Sequence, residues 1–131
     1  MAGITYLWGG YDLNGSDCRG TVYYSYNQGG VNIPLKDAQG YYDSMKSISG
    51  NLKPGDIIAY WNPTPNENGE HITHIQVFIG DAIETKTGQF VHDAVLNAGS
   101  KDTGVYIVSL SRCLSWKEYA NLTPCYGTLL K

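Results

Sequence analysis

Three things are scarce in this sequence of 131 residues, and each scarcity removes a class of function. No apolar run approaches the ~18 residues that cross a bilayer, and the N-terminus has no charged-then-apolar leader. Membrane insertion is not expected, and export needs another route or a longer parent chain. Positive charge is in deficit: 9 Lys and Arg stand against 12 Asp and Glu, for a net charge of −3. Nucleic acid and anionic lipid are therefore poor partners. Ligand-type residues are few, with 3 Cys and 3 His and neither a CxxC nor a paired Cys/His spacing. Zinc is not indicated, and no metal or cofactor is expected. The odd cysteine count leaves Cys113 and Cys125 open to two readings, a disulfide or two buried thiols.

What is present is tyrosine and glycine, 11 and 16 residues, in a chain that is 42% hydrophobic and 16% charged. Its length is that of one domain, residues 1–131, large enough to bury a core without covalent staples. The tyrosines suit a strand-rich fold with aromatic clefts able to grip sugar or peptide, although most serve a sheet and its surface.

Read in order, residues 4–8 form an extended entry that turns at Gly9-Gly10. Ser16 or Asp17 then caps a helix over Cys18 to Asn27, ended by Gly29-Gly30. Thr21, Val22 and three tyrosines are weak helix formers, so burial has to hold it. A second, weaker helix spans Lys36 to Ser47. Lys53-Pro54-Gly55-Asp56 is a turn ahead of a strand at Ile57 to Trp61, and Asn62 to Glu70 is a polar loop. Thr73 to Ile79 alternates, with His74, Gln76 and Phe78 on one face and Ile75, Val77 and Ile79 on the other. Strands follow at Gln89 to Val95 and Val105 to Leu110, then a helical turn or two within Ser115 to Leu122 and a tail. A helix followed by sequential strands predicts an α+β fold with a mostly antiparallel sheet and a helix on one face.

Cys18 at a helix start meets free backbone N–H groups and the positive end of the helix, which favours thiolate over thiol. Its alkylation is expected well below the ~8.5 of a free thiol. His74 and His92 fall in successive strands, where antiparallel pairing brings two rings to one face. Nucleophile, base and orienting group is the pattern of covalent catalysis. A buried cysteine is more often an inert apolar filler and a strand histidine a packing residue, so these three alone do not establish it. His71, in the polar loop, is expected in solvent.

Tyr6-Leu7-Trp8-Gly9-Gly10 with Asp17-Cys18-Arg19-Gly20, then Leu52-Lys53-Pro54-Gly55-Asp56, His74-Ile75-Gln76-Val77-Phe78-Ile79-Gly80 and Phe90-Val91-His92-Asp93-Ala94 stand in one order. Together they resemble the NlpC/P60 family of cell-wall cysteine peptidases. The resemblance implies a papain-like core, with a nucleophile-bearing helix packed on a mostly antiparallel sheet. It implies Cys18 as nucleophile, His74 as general base and His92 as its orienting residue, with Tyr6 lining the site and Asp17 helping to bind substrate. The implied reaction is hydrolysis of an amide in the peptidoglycan stem, commonly between D-γ-glutamyl and a diamino acid, at the bacterial cell wall.

The sequence departs from the family pattern in three places. Arg19 replaces a serine after the cysteine, and either pairs with a stem-peptide carboxylate or points into solvent. The helix that usually precedes Tyr-x-Trp-Gly-Gly has no counterpart, which fits an excised domain or a compact version closed by its C-terminal segment. The interval from His74 to His92 is long, so a hairpin near Asp81 to Gly88 projects by the cleft; if it displaces His92, Asp93 is the next orienting group. The carrier is a phage lysin or tail protein, an autolysin or a delivered toxin, the last implying an immunity-protein partner. The alternatives are a non-catalytic wall-binding module of the same fold, or an amidase or acyltransferase of related chemistry.

Overall fold

The structure is a computed structural model that describes residues 11–12, 15–99 and 104–129. Two short strands, β1 (Tyr11–Asp12) and β2 (Gly15–Ser16), pair with each other and lead into helix α1 (Cys18–Gln28). Helix α2 (Ala38–Ser44) and strand β3 (Lys46–Ser47) follow. Strands β4 (Ile57–Trp61), β5 (Ile72–Ile83), β6 (Phe90–Ala98) and β7 (Val105–Ser109) then form a meander. Helix α3 (Leu110–Leu114), a 3-10 turn (Lys117–Tyr119) and strand β8 (Thr123–Thr128) complete the described chain. The larger sheet is antiparallel throughout, in the order β3-β8-β4-β5-β6-β7.

Strand alternation sorts the core onto two faces. Ile57, Ala59, Ile75 and Val77 point toward Val22 and Tyr26 of α1 and Tyr41 of α2. Ile58, Tyr60, Phe78, Val95 and Val108 point the other way, against Leu110 and Cys113 of α3 and the rings of Trp116 and Tyr119. The weak propensities in α1 amount to roughly 0.5 kcal/mol per residue, whereas full burial of one large apolar side chain contributes about 1.5–3 kcal/mol. Val22 and Tyr26, at 0% and 5% exposure, therefore decide the helix. The Tyr26 hydroxyl also donates to the Gly55 carbonyl, tying α1 to the turn before β4. That turn has Gly55 at φ 96°, a conformation side chains resist, and Asp56 closes it by accepting from the Lys53 N–H at 2.6 Å.

Helix α1 and strand β4 lie where the sequence places them, whereas the helix expected over Lys36 to Ser47 is shorter, its last two residues forming β3. The expected tail is strand β8, paired along β4 from Ile57↔Gly127 to Trp61↔Thr123. Its local pattern is weak because Pro124 and Gly127 are poor strand residues; β3 covers only Thr128 and Gly127, so Pro124 stands where the outer edge is open. All three cysteines are free, with Cys113 fully buried and Cys125 on β8, so no disulfide joins them. No described helix is long and apolar enough to cross a membrane.

Candidate active site

Cys18 opens α1 directly after the capping residue Asp17, whose carboxylate accepts from the Gly20 N–H at 2.8 Å. The cysteine packs against the Ile75 side of the core and against the cluster of Leu96, Ala98 and Val105, so the helix start is pressed onto β5 and β6. Burial pushes its thiol up to about 11, and the Asp17 carboxylate adds to the shift; backbone N–H groups, that of Ile75 foremost, oppose it without reversing it. This corrects the expectation of a thiolate at rest. The helix start favours anions only while its N–H groups are free and wet, and here one is taken by Asp17 while the half-buried cysteine has lost part of its water.

The polar loop runs beside this cysteine. A hollow of about 440 Å³ is bordered by Cys18, Asp17, Arg19, Asp37, Glu67 and Glu70. Arg19 borders this hollow with a third of its side chain exposed and its Nε 3.5 Å from Asp17 Oδ2. Asp17 is 3% exposed, borders the hollow and is engaged as the helix cap. Tyr6 lies outside the described residues. His71 is not in solvent; it stacks on Trp61 at 4.1 Å and 5°, and its Nδ1 meets the Asn62 carbonyl at 2.8 Å.

His74 stands on the opposite strand face. The β4–β5 register pairs it with Tyr60, and the two rings stack at 5.8 Å. Its Nε2 is 2.7 Å from Asn97 Oδ1 on β6. That same oxygen accepts from Gln76 Nε2 at 2.8 Å, the Gln76 carbonyl accepts from the Tyr60 hydroxyl at 2.7 Å, and Asn97 Nδ2 donates to the Tyr106 hydroxyl at 3.2 Å. With the Gln76 and Asn97 amides assigned this way round, the shared oxygen accepts from Gln76 Nε2 and from His74 Nε2–H, an assignment that leaves Nδ1 as the basic nitrogen. Burial pulls the His74 pKa below its ordinary value, against the Asn97 bond, so the ring is neutral at pH 7.

His92 does not reach His74. It sits five residues before Asn97, roughly 16 Å back along the strand at ~3.3 Å per residue. Its ring is 82% exposed, bonded to Asp81 at 2.9 Å and edge-on to Phe90. The reason is length: β5 and β6 run past the site as a long hairpin, with register shifts around Gly80, and carry His92 out with them. Asp93 is no substitute, since it accepts from Ser109 and Ser111 instead. The polar side chain bonded to His74 is Asn97, a residue not singled out from the sequence. Its signal was a lone amide in the apolar run Ala94 to Ala98, visible only once the strand register is known.

Next to His74 lies a second hollow, of about 580 Å³, walled by Asn97, Tyr106, Trp116 and Tyr119. The Tyr119 ring is 5.7 Å from His74, and its phenol feels the charge of Cys18, so thiol and imidazole both lie within electrostatic reach of Tyr119. Among the described residues no group of three His, Cys, Asp or Glu is placed to hold a metal ion. The half-buried Cys18 packs on the Ile75 side of the sheet and the neutral His74 beside Tyr60 on the other, with Tyr119 within reach of both.

These features belong to a known class of fold. Residues 3–113 match the NlpC/P60 family, and the chain is a member of that family. It is 32% identical over 117 residues to the probable peptidoglycan endopeptidase LytE of Bacillus subtilis strain 168, a match covering 89% of this chain and 29% of that protein. It is 27% identical over 128 residues to the γ-D-glutamyl-L-lysine dipeptidyl-peptidase of the same organism, covering 95% of this chain and 38% of that one. The chain therefore spans well under half the length of either relative. Among solved structures, an NlpC/P60 family protein from Bacillus cereus ATCC 10987 superposes with a TM-score of 0.71 at 20% identity, over 99% of this chain and 37% of that one. The NlpC/P60 domain of the peptidoglycan hydrolase SagA superposes at 0.58 and 20% identity, over 97% and 89%. These likenesses establish the α+β papain-like fold.

Proposed function

We propose that this chain is a cysteine peptidase that hydrolyses an amide bond in the stem peptide of peptidoglycan, between D-γ-glutamyl and a diamino acid. The observation that carries the reading is the His74–Asn97 bond: with Nε2–H donating to Asn97 Oδ1 at 2.7 Å, Nδ1 is left as a base in a family member whose helix opens with Cys18. The named activities of LytE and of the γ-D-glutamyl-L-lysine dipeptidyl-peptidase support the substrate and the bond.

At rest both reacting groups are neutral. With a thiol near 11, only about one Cys18 in 10⁴ is ionised at pH 7, so attack and deprotonation are coupled. Sγ bonds to the scissile carbonyl carbon as its proton passes to His74 Nδ1, and backbone N–H groups at the start of α1 stabilise the oxyanion. His74 then returns the proton to the leaving amine as the C–N bond breaks. Water, deprotonated by the same nitrogen, releases the acyl group from sulfur. Asn97 holds the ring throughout.

The site of action is the bacterial cell wall, in a phage lysin, an autolysin or a delivered toxin; a toxin would have an immunity-protein partner. The test is purified peptidoglycan, or a tetrapeptide stem, incubated with wild type and with Cys18→Ala and weighed by mass spectrometry. New amine termini from the wild type alone are expected. One observation favours a second reading, a wall-binding module without turnover: the raised thiol pKa is also that of an inert cysteine. Equal binding by both proteins with no cleavage would establish that alternative.

A further inference from the structure

The bond from His74 to Asn97 is the last link of a chain of buried side chains that runs back across the sheet to Tyr60. From β4 the Tyr60 hydroxyl meets Gln76 Oε1 on β5 at 2.7 Å, and Gln76 Nε2 meets Asn97 Oδ1 on β6 at 2.8 Å. The same Asn97 oxygen meets His74 Nε2 at 2.7 Å. Two side contacts branch off, from Gln76 Nε2 to Cys113 Sγ at 3.6 Å and from Asn97 Nδ2 to the Tyr106 hydroxyl at 3.2 Å. Tyr60, Gln76 and Asn97 are all buried, so the chain has to be satisfied from within.

Such a chain can run in two directions, because hydroxyl, thiol and neutral imidazole each donate or accept and an amide can turn over. In the first, Tyr60 donates to Gln76 and Gln76 donates to Asn97 Oδ1. His74 donates to that oxygen from Nε2–H, and Nδ1 is the basic nitrogen. In the second both amides are reversed: Tyr106 donates to Asn97, Asn97 donates to Gln76 and to His74 Nε2, and Gln76 donates to Tyr60. The imidazole proton then sits on Nδ1.

The hydroxyls at the two ends break the tie. In the reversed chain the Tyr60 hydrogen has no acceptor, since Gln76 is the one hydrogen-bond partner of that hydroxyl among the described residues and the residue is 1% exposed. In the first chain the spare hydrogen belongs to Tyr106, which lines the 580 Å³ hollow and can turn it toward water there. A buried hydroxyl without an acceptor is the costlier of the two. The Cys113 contact does not choose, sulfur being weak as donor and as acceptor. We propose that Tyr60 is a positioning residue: its hydroxyl, acting through Gln76 and Asn97, directs the His74 proton onto Nε2 and keeps Nδ1 free. The consequence for catalysis rests on the peptidase reading, whereas the tautomer does not.

Long-range proton–nitrogen NMR of protein labelled in histidine reads the tautomer without any substrate, the His74 ring being identified by its loss in His74→Gln. Wild type is expected to show Nε2–H. Tyr60→Phe keeps the ring stacked on His74 and removes only the hydroxyl, so it is expected to show Nδ1–H or a mixture of the two. On a stem peptide its kcat is expected to fall about tenfold with KM little changed. Tyr106→Phe removes the other hydroxyl, the donor that the reversed chain needs, and is expected to keep Nε2–H. Nδ1–H in wild type, unchanged Nε2–H in Tyr60→Phe, or the same shift in both variants overturns the proposal. So does a shifted tautomer with kcat unchanged. If Tyr60→Phe does not fold, Gln76→Met breaks the chain one link further on and carries the same expectation. If wild type cleaves no stem, the peptidase reading falls and the tautomer comparison still decides the role of Tyr60.

Discussion

The hollow beside Cys18 sets Asp17, Asp37, Glu67 and Glu70 against the single guanidinium of Arg19, whereas the hollow beside His74 balances Glu84 and Glu118 with Arg112 and Lys86. The first therefore has an excess of negative charge around Cys18, and the second is close to neutral around His74. Both environments disfavour ions at rest. Carboxylate and burial keep the sulfur protonated, and burial keeps the imidazole uncharged. On the peptidase reading proposed above, charge would be created only as the substrate carbonyl accepts it.

The largest effect should come from the acidic side. Alkylation of Cys18 by iodoacetamide is expected to rise about tenfold per pH unit from pH 8 toward 11, roughly a thousandfold in all, because the reactive thiolate accumulates only as pH nears the raised pKa. A plateau reached below pH 8 would mean that the thiolate is preformed. Asp17→Asn keeps a capping oxygen and removes the nearby charge, so its curve should move to lower pH.

On the neutral side, Asn97→Ala should lower kcat about a hundredfold with KM little changed, because His74 loses the bond that fixes its tautomer and tilt. Gln76→Leu, which frees the Asn97 amide to turn over, should show part of the same loss, while His92→Ala stays within about twofold. Steady-state kinetics on one stem peptide separates these. If His92→Ala is the crippling variant, the hairpin closes onto the site when substrate binds, and the observed placement of His92 is not the working one.

The smallest effect concerns the ion pair that balances the second hollow. Arg112 holds the Glu84 carboxyl at about 2, well below its ordinary value of 4.5. A depressed carboxylate pKa stabilises the fold fully above the unfolded value near 4.5, and the contribution disappears as pH falls toward 2. Glu84→Gln should therefore destabilise by about 2 kcal/mol at pH 7, as expected for a lost charge-assisted bond to a half-exposed partner. Thermal melts should show the gap between variant and wild type closing in acid. A constant gap would assign the loss to packing.

How much of this was legible in the chain depends on how far apart the deciding residues lie. Asp17 ahead of Cys18 and Gly29 behind Gln28 bound α1 by local rules, and observed and expected ends differ by one residue. The two faces of β5 follow from a period of two, which is why His74 and Gln76 share a side with Tyr60. By contrast β8 was hidden, because its evidence is pairing with β4 more than sixty residues earlier. His92 and Asn97 are both polar residues on one strand. Only the register, 77 against 96 and 78 against 95, shows which of them stands beside His74.

The sequence by itself determined the family, the helix that begins at Cys18 and the strand that carries His74, because capping, alternation and motif order are properties of neighbours. Tertiary structure decided the rest: Asn97 rather than His92 beside His74, a thiol whose pKa is raised, and a negative hollow beside Cys18 against a near-neutral one beside His74. Each of those depends on which distant groups are brought within a few ångströms and how much water they lose, and neither quantity is written in the local order of residues.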